Sequence, residues 1–165
     1  GPRRTSLRGS SGLTTSYSYI DDRSGLDLDT SAANYTLTFT LAPREEWSIS
    51  IVPNLVQQKN EDTGVRTDTY TTTVDLRSQP FRDLIYWDLG GSYSVSEATD
   101  DSVDTEITGI NTRLACSLRR FFPADLNPAV ALRGNYQRIK DKVADTKTDD
   151  LTLFLVFELQ TKFGL

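Results

Sequence analysis

The last fifteen residues of the chain constrain its fold most strongly, because apolar and polar side chains alternate along them. Successive side chains of an extended strand point to opposite faces, so the apolar residues of this segment share one face. They are Leu151, Leu153, Leu155, Phe157, Leu159, Phe163 and Leu165. A strand this long and this apolar is an aggregation hazard in a soluble protein. In the wall of a transmembrane barrel it is the pattern that the bilayer requires.

Composition excludes two other classes of protein. Hydrophobic residues make up 37% of the chain, and no apolar run approaches the ~20 residues that a spanning helix needs. Barrel strands alternate and therefore remain polar on average, so a membrane protein is still compatible with this composition. The net charge of −5 argues against a nucleic-acid partner, which would need a basic surface.

Residues suited to catalysis are scarce. The chain has no histidine, which removes the usual Ser-His and His-base arrangements. Its single cysteine, Cys116, cannot form an internal disulfide, and we expect it to face lipid, where a thiol is a poor nucleophile. We therefore predict that the protein is not an enzyme and uses no cofactor.

Segments of period two recur along the whole chain, separated by polar stretches rich in turn residues. The predicted strands cover residues 13–20, 34–42, 47–57, 66–76, 84–95, 105–118, 129–138 and 151–165. The sequence thus predicts an all-β fold, an antiparallel up-and-down transmembrane β-barrel of about eight strands over residues 13–165. Residues 1–12, which include Gly9-Ser-Ser-Gly12, are predicted to form a flexible periplasmic lead-in.

The connections between the predicted strands differ at the two ends of the barrel. Those after strands two, four and six are short or marked by proline, whereas those after strands one, three, five and seven are longer and acidic. Short periplasmic turns and longer external loops are typical of outer-membrane barrels. Grouped carboxylates could bind Ca²⁺ or Mg²⁺, but the spacing of a calcium loop is absent. We favour a solvated acidic surface and predict no metal site.

With these features the chain resembles the small bacterial outer-membrane β-barrels, the family that includes the OmpA transmembrane domain and OmpX. The resemblance is one of strand pattern and covers nearly the whole chain. The terminal alternation of Phe157, Leu159, Phe163 and Leu165 also looks like this family's assembly signal, although the family usually ends on an aromatic residue. The resemblance implies a place in the bacterial outer membrane. It also implies lipid and lipopolysaccharide as partners, and the barrel-assembly machinery as a partner of the C-terminal strand.

Alternation alone does not decide which face points outward. A soluble lipocalin-like barrel would enclose the apolar face around a small ligand. Three features favour the membrane. The polar face carries mostly Thr, Ser, Gly, Ala and Asn in mid-strand, the apolar face carries no central charge, and aromatic residues gather near strand ends.

Four charged residues of the polar face stand out: Asp88, Arg113, Arg133 and Glu158. If each hairpin is symmetric, residue 88 lies opposite 113, 113 opposite 133, and 133 opposite 158, which places the four charges at one level. We predict a lumenal charge cluster here, with Asp75 and Lys162 as secondary lumenal charges nearer the periplasmic end. The cluster either fills a narrow barrel with neutralised charge or forms an ion-selective constriction. We favour the first interpretation.

The leading functional hypothesis is an integral outer-membrane barrel. Its role would be that of a structural anchor, a scaffold for surface loops, or a narrow, porin-like ion passage. Two alternatives stay open at this point. The strands could belong to a larger pore or to the membrane domain of a longer protein with an N-terminal or periplasmic partner domain. The chain could also be a soluble lipocalin-like barrel that binds a small ligand.

Overall fold

The computed structural model describes residues 8–20, 29–44, 46–81, 84–122 and 126–161, with the backbone alone at residues 126, 127, 160 and 161. These residues form eight β-strands and one short 3₁₀ turn, Arg119–Phe121. The strands are β1 (Arg8–Ile20), β2 (Thr30–Arg44), β3 (Trp47–Asn60), β4 (Arg66–Phe81), β5 (Ile85–Ala98), β6 (Asp104–Ser117), β7 (Leu126–Asp141) and β8 (Thr146–Thr161).

All eight strands belong to one antiparallel sheet in which each strand pairs with its neighbours in sequence. This confirms the predicted all-β, up-and-down arrangement of eight strands. The sheet is open, because β1 and β8 are its two edges and no pairing among the described residues joins them. The predicted closure into a barrel is therefore not part of the observed architecture.

The strands extend further than the sequence pattern indicates. Strand β1 begins at Arg8, so residues 8–12, predicted as part of the flexible lead-in, are paired with β2. Strands β7 and β8 are joined by a turn over residues 142–145, where a loop over 140–150 was expected. Backbone ladder bonds form whatever the side chain, so a strand continues past the point where its apolar alternation ends. Loop length therefore does not distinguish the two ends as strongly as predicted.

The two faces of the sheet differ in exposure. In β2, Leu37 and Phe39 are 40% and 47% exposed, whereas Thr36 and Thr38, which alternate with them, are half-buried. The apolar face, which also carries Leu132 and Leu155, is called the outer face, and the face of the threonines is called the inner face. The most deeply buried side chains include Ala115 and Ala131, which lie directly opposite each other on the inner face. The enclosed side of the sheet is thus the polar one.

Candidate functional site

The structure brings the four predicted charges of the inner face together, although one pairing differs. Asp88 lies opposite Arg113 and Arg113 lies opposite Arg133, as hairpin symmetry predicts. Arg133, however, lies opposite Phe154, and Glu158 lies opposite Ala129. The predicted alignment of 133 with 158 is wrong because the tight turn at residues 142–145 moves the centre of the β7–β8 hairpin toward the N-terminus. Glu158 is therefore four residues along the ladder from the expected position.

Glu158 nevertheless holds both arginines. Its Oε2 accepts a hydrogen bond from Arg113 Nη2 at 2.7 Å, and its Oε1 accepts one from Arg133 Nη2 at 2.6 Å. Strand β7 lies between the strands that carry Arg113 and Glu158. A contact across an intervening strand is favoured where the sheet curls toward that face, and this face is also the less exposed one in β2 and β4. The inner face is therefore the inside of a curled sheet.

Asp88 extends the same network toward β4. Arg113 Nη1 lies 3.5 Å from Asp88 Oδ2, and Arg77 Nε lies 3.9 Å from Asp88 Oδ1. The sequence analysis missed Arg77 because it ended the fourth strand at residue 76. Symmetry of the predicted hairpin, centred on residue 80, places residue 77 opposite 83; in the structure β4 continues to Phe81, and the register puts Arg77 opposite Asp88.

These five residues, Arg77, Asp88, Arg113, Arg133 and Glu158, are called the arginine–carboxylate cluster. Their ion pairs alternate in sign from Arg77 through Asp88, Arg113 and Glu158 to Arg133, which leaves one net positive charge. Exposure falls from 76% for the Arg77 side chain to 34% for Arg113 and 24% for Glu158. Charge-assisted bonds between partly enclosed groups are stronger than exposed ion pairs. The cluster can therefore fix side chains across the concave face, and Asp75, two residues before Arg77 on the same face, offsets its net positive charge.

The secondary charges predicted for this site have different outcomes. Asp75 lies on the inner face opposite Ser50 and Gly90, and Gly90 is two residues from Asp88 on β5. Lys162 lies outside the described residues. Cys116, expected to face lipid, is exposed on the outer face opposite Ile85 and Val130.

Toward the loop between β3 and β4, hydroxyl and amide groups replace the charges of the inner face. Thr69 bonds Ser96 and Thr71 bonds Ser94, each at 2.9 Å, and Thr36 Oγ1 donates to Asn54 Oδ1 at 3.2 Å. Beyond them a cavity of about 590 Å³ opens between β1 and β4. Its lining includes Ser18, Thr30, Ala32, Gln58 and Thr67. At this end the inner face thus carries mostly hydroxyl and amide groups on β2 to β5, with Lys59 in the cavity lining and Asp141 and Asp150 on β7 and β8, whereas the arginine–carboxylate cluster lies further along the strands.

Two further features are absent from the part of the chain that the structure describes. No helix among the described residues is long and apolar enough to cross a membrane. The described part of the chain holds no group of three or more histidine, cysteine, aspartate or glutamate residues that could hold a metal ion.

No protein-family model, curated protein or solved structure matches the chain.

Proposed function

We propose that the curled sheet closes into an eight-stranded barrel that spans the bacterial outer membrane, as an anchor and a scaffold for its loops. The observation that carries this proposal is the exposed apolar outer face. Leu37, Phe39, Leu132 and Leu155 are between 40% and 77% exposed, while the polar face is the concave one. A soluble ligand-binding barrel needs the reverse arrangement.

Aromatic residues bound the apolar outer face at both ends. Trp47 and Trp87 both lie opposite Ser78, whose side chain is 2% exposed between them. Tyr70 lies eight residues before Ser78 on β4 and is 50% exposed. Tyr35 on β2 lies at the same ladder level as Tyr70, because both are paired with Leu55 of β3. Eight residues span ~26 Å along a strand, or ~20 Å of height at the usual tilt. This is close to the apolar band of a transmembrane barrel, which lies between two aromatic girdles.

The open edges support closure. Every described residue of β1 is exposed, and Leu151, Leu153 and Leu155 of β8 are between 64% and 77% exposed. An edge strand in hydrocarbon would leave its outward N–H and C=O groups unsatisfied, at several kcal/mol each. Pairing β1 with β8 satisfies both edges at once and removes two long apolar edges from solvent.

The arginine–carboxylate cluster supports an anchor more than a wide pore. Its bonds between β6, β7 and β8 tie together strands that are not all neighbours, and an eight-stranded barrel leaves room for little beyond side chains. A narrow passage for small ions is the second candidate. It is favoured by the cavity of about 590 Å³ at the mouth.

The proposal is tested by folding the chain from urea into phosphatidylcholine vesicles and into buffer alone. We expect a β-sheet circular dichroism spectrum and protease protection with vesicles only. The variant L132R, on the outer face in mid-strand, should lose about 2–4 kcal/mol of folding free energy in the bilayer. The control N135R, three residues away on the inner face, should lose much less. A chain that folds as a soluble monomer without any amphiphile would contradict the proposal.

Planar-bilayer conductance separates anchor from passage. An ion passage predicts small single-channel steps whose selectivity shifts toward cations in R113A, because that variant removes one positive charge from the constriction. If neither the wild type nor R113A conducts current, the ion passage is excluded and the anchor remains as the proposed function.

A further inference from the structure

The cavity between β1 and β4 has the size and the lining of a site for a small molecule. Its volume of about 590 Å³ lies within the range of ~300–1,000 Å³ that is usual for ligand pockets. The lining combines an apolar part with hydroxyl and amide groups, a mixture that is typical of sites for small organic molecules. The apolar part is Ile20, Ala32 and Val65, and the polar groups include Ser18, Thr30, Gln58 and Thr67.

Three of these polar groups lie at one level of the sheet. Ser18 is paired with Ala32, and Ala32 with Gln58. Gln58 is in turn paired with Thr67. Neighbouring strands are ~4.8 Å apart, so the backbone of Ser18 lies roughly 10 Å from that of Gln58, with the small Ala32 between them. Thr30 is two residues from Ala32 on the same face of β2. The four polar groups thus converge on one space from four strands.

The four groups differ from the polar groups deeper on the inner face in their hydrogen bonding. The threonine–serine pairs of β4 and β5 are bonded directly to each other. Within the described part of the chain, by contrast, the side chains of Ser18, Thr30, Gln58 and Thr67 make no hydrogen bond. A glutamine amide offers two donors and one acceptor oxygen, and each hydroxyl both donates and accepts. The cavity therefore presents donors and acceptors together to whatever enters it.

The charges around the cavity favour a neutral ligand. Lys59, the charged residue of the lining, donates a hydrogen bond to Glu61, so its charge is already paired. Asp141 and Asp150 lie on the inner face at the same end of the sheet, on β7 and β8, and would repel an anion. A neutral molecule with several hydroxyl groups meets both conditions, because hydroxyls donate and accept without bringing charge.

We propose that the cavity between β1 and β4 binds a neutral sugar through hydrogen bonds to Ser18, Thr30, Gln58 and Thr67. The hydroxyl groups of a sugar surround its ring, so they can meet polar groups on both sides of the cavity at once. The C–H groups of the ring can lie against the apolar part of the lining. A site built to bond hydroxyl groups discriminates against molecules that lack them.

The sugar site goes beyond the anchor role and does not depend on it. Four neighbouring strands form the cavity on the inner face, whether or not the outer face contacts lipid. A free monosaccharide and the end of a soluble oligosaccharide present the same hydroxyl groups to it, so the test includes both.

The test uses the full chain folded in phosphocholine micelles, which carry no sugar, and titrated separately with glucose, galactose and N-acetylglucosamine. Glucuronate serves as the anionic comparison ligand. Backbone amide NMR shifts at residues 18, 30, 58 and 67 and the side-chain amide signals of Gln58 report binding. We expect saturable shifts with at least one neutral sugar and weaker binding of glucuronate. The sugar that binds most tightly is then compared with a soluble oligosaccharide that ends in it. Tighter binding of the oligosaccharide identifies a glycan end as the ligand, and weaker binding identifies the free sugar.

The variant Q58L/T67V removes hydrogen-bonding groups from two strands and keeps both side chains close to their original size. It should bind about 25-fold more weakly, since one ordinary hydrogen bond contributes roughly fivefold in affinity. The matched control is T71V, four residues away on the same face of β4, because the Thr71 hydroxyl is bonded to Ser94 instead of facing the cavity. It should leave the affinity unchanged.

Three results would overturn the inference: no saturable shift with any of the three neutral sugars, equal affinity for glucuronate, or equal losses in Q58L/T67V and T71V. If Q58L/T67V does not fold, the single variant T67V decides by the same criterion, with about fivefold loss expected. Failure of sugar binding removes this inference and leaves the membrane proposal in place, whereas a chain that stays soluble without amphiphile removes the proposed function alone.

Discussion

The strands β4 and β5 carry two kinds of inner surface along their length. Toward the β3–β4 loop, Thr69 bonds Ser96 and Thr71 bonds Ser94, and in both cases the partners lie directly opposite each other. Toward the other end, Asp88 joins a network that continues to Glu158 on β8. Hydroxyl pairs are satisfied locally and act independently, whereas the arginine–carboxylate cluster depends on groups from five strands. We therefore expect loss of one member to have a larger effect in the cluster.

The largest expected effect is that of E158Q. The substitution removes the charge that bridges Arg113 and Arg133 and leaves two opposed guanidinium groups with Asp88 alone. Charge-assisted hydrogen bonds contribute about 1.5–3 kcal/mol each, and partial exposure reduces that value here. We expect about 2 kcal/mol lower free energy of unfolding, measured by urea titration in the amphiphile that folds the chain. The control E97Q, at an exposed position of β5, should change it by less than about 0.5 kcal/mol. Equal effects of the two variants would mean that the cluster does not act as a network.

A smaller effect is expected at the boundary between the two surfaces. A Cβ added to Gly90 would lie 2.5 Å from Asn111 Oδ1, whereas one added to Gly91 would meet nothing within 4 Å. G90A must displace the Asn111 side chain beside the cluster, at a cost of about 1 kcal/mol. G91A should be neutral or stabilise by up to about 0.5 kcal/mol, since alanine reduces the freedom of the unfolded chain. Urea titration of the two variants in parallel checks the difference, and a larger loss for G91A would contradict it.

The smallest effect is expected for the hydroxyl pairs. T71V should lower the free energy of unfolding, measured by urea titration, by about 0.5–1 kcal/mol, the usual contribution of one hydrogen bond. S94A should cost a similar amount, and T71V/S94A little more than either single variant, because both changes remove the same bond. By contrast, the losses of unfolding free energy caused by T71V and E158Q should add up in the double variant. Strong coupling between those two would show that the surfaces are not independent.

The sequence predicted the number, order and direction of the strands well, because alternation records which face each side chain occupies. Strand ends were predicted poorly where polar residues continue the ladder, as at Lys140 and Thr146. The error at the β7–β8 turn had a direct consequence for the site, because it misplaced the partner of Arg133 by four residues. Arg77 was missed for the same reason at the end of β4.

Other features of the site could not be read from sequence at all. The bridge from Arg113 to Glu158 crosses an intervening strand, so it depends on how strongly the sheet curls. Hairpin symmetry gives only the partners of neighbouring strands.

The central claim is that the apolar outer face contacts acyl chains, and site-directed fluorescence quenching tests it most directly. Cys116, the single cysteine, lies on the outer face and can carry a small fluorophore, while C116S/N135C places the same label on the inner face. In bilayers with brominated acyl chains we expect strong quenching at Cys116 and little effect of aqueous iodide, with the opposite behaviour at position 135. Quenching of the Cys116 label by iodide alone, with the position 135 label quenched by brominated lipid, would contradict the account.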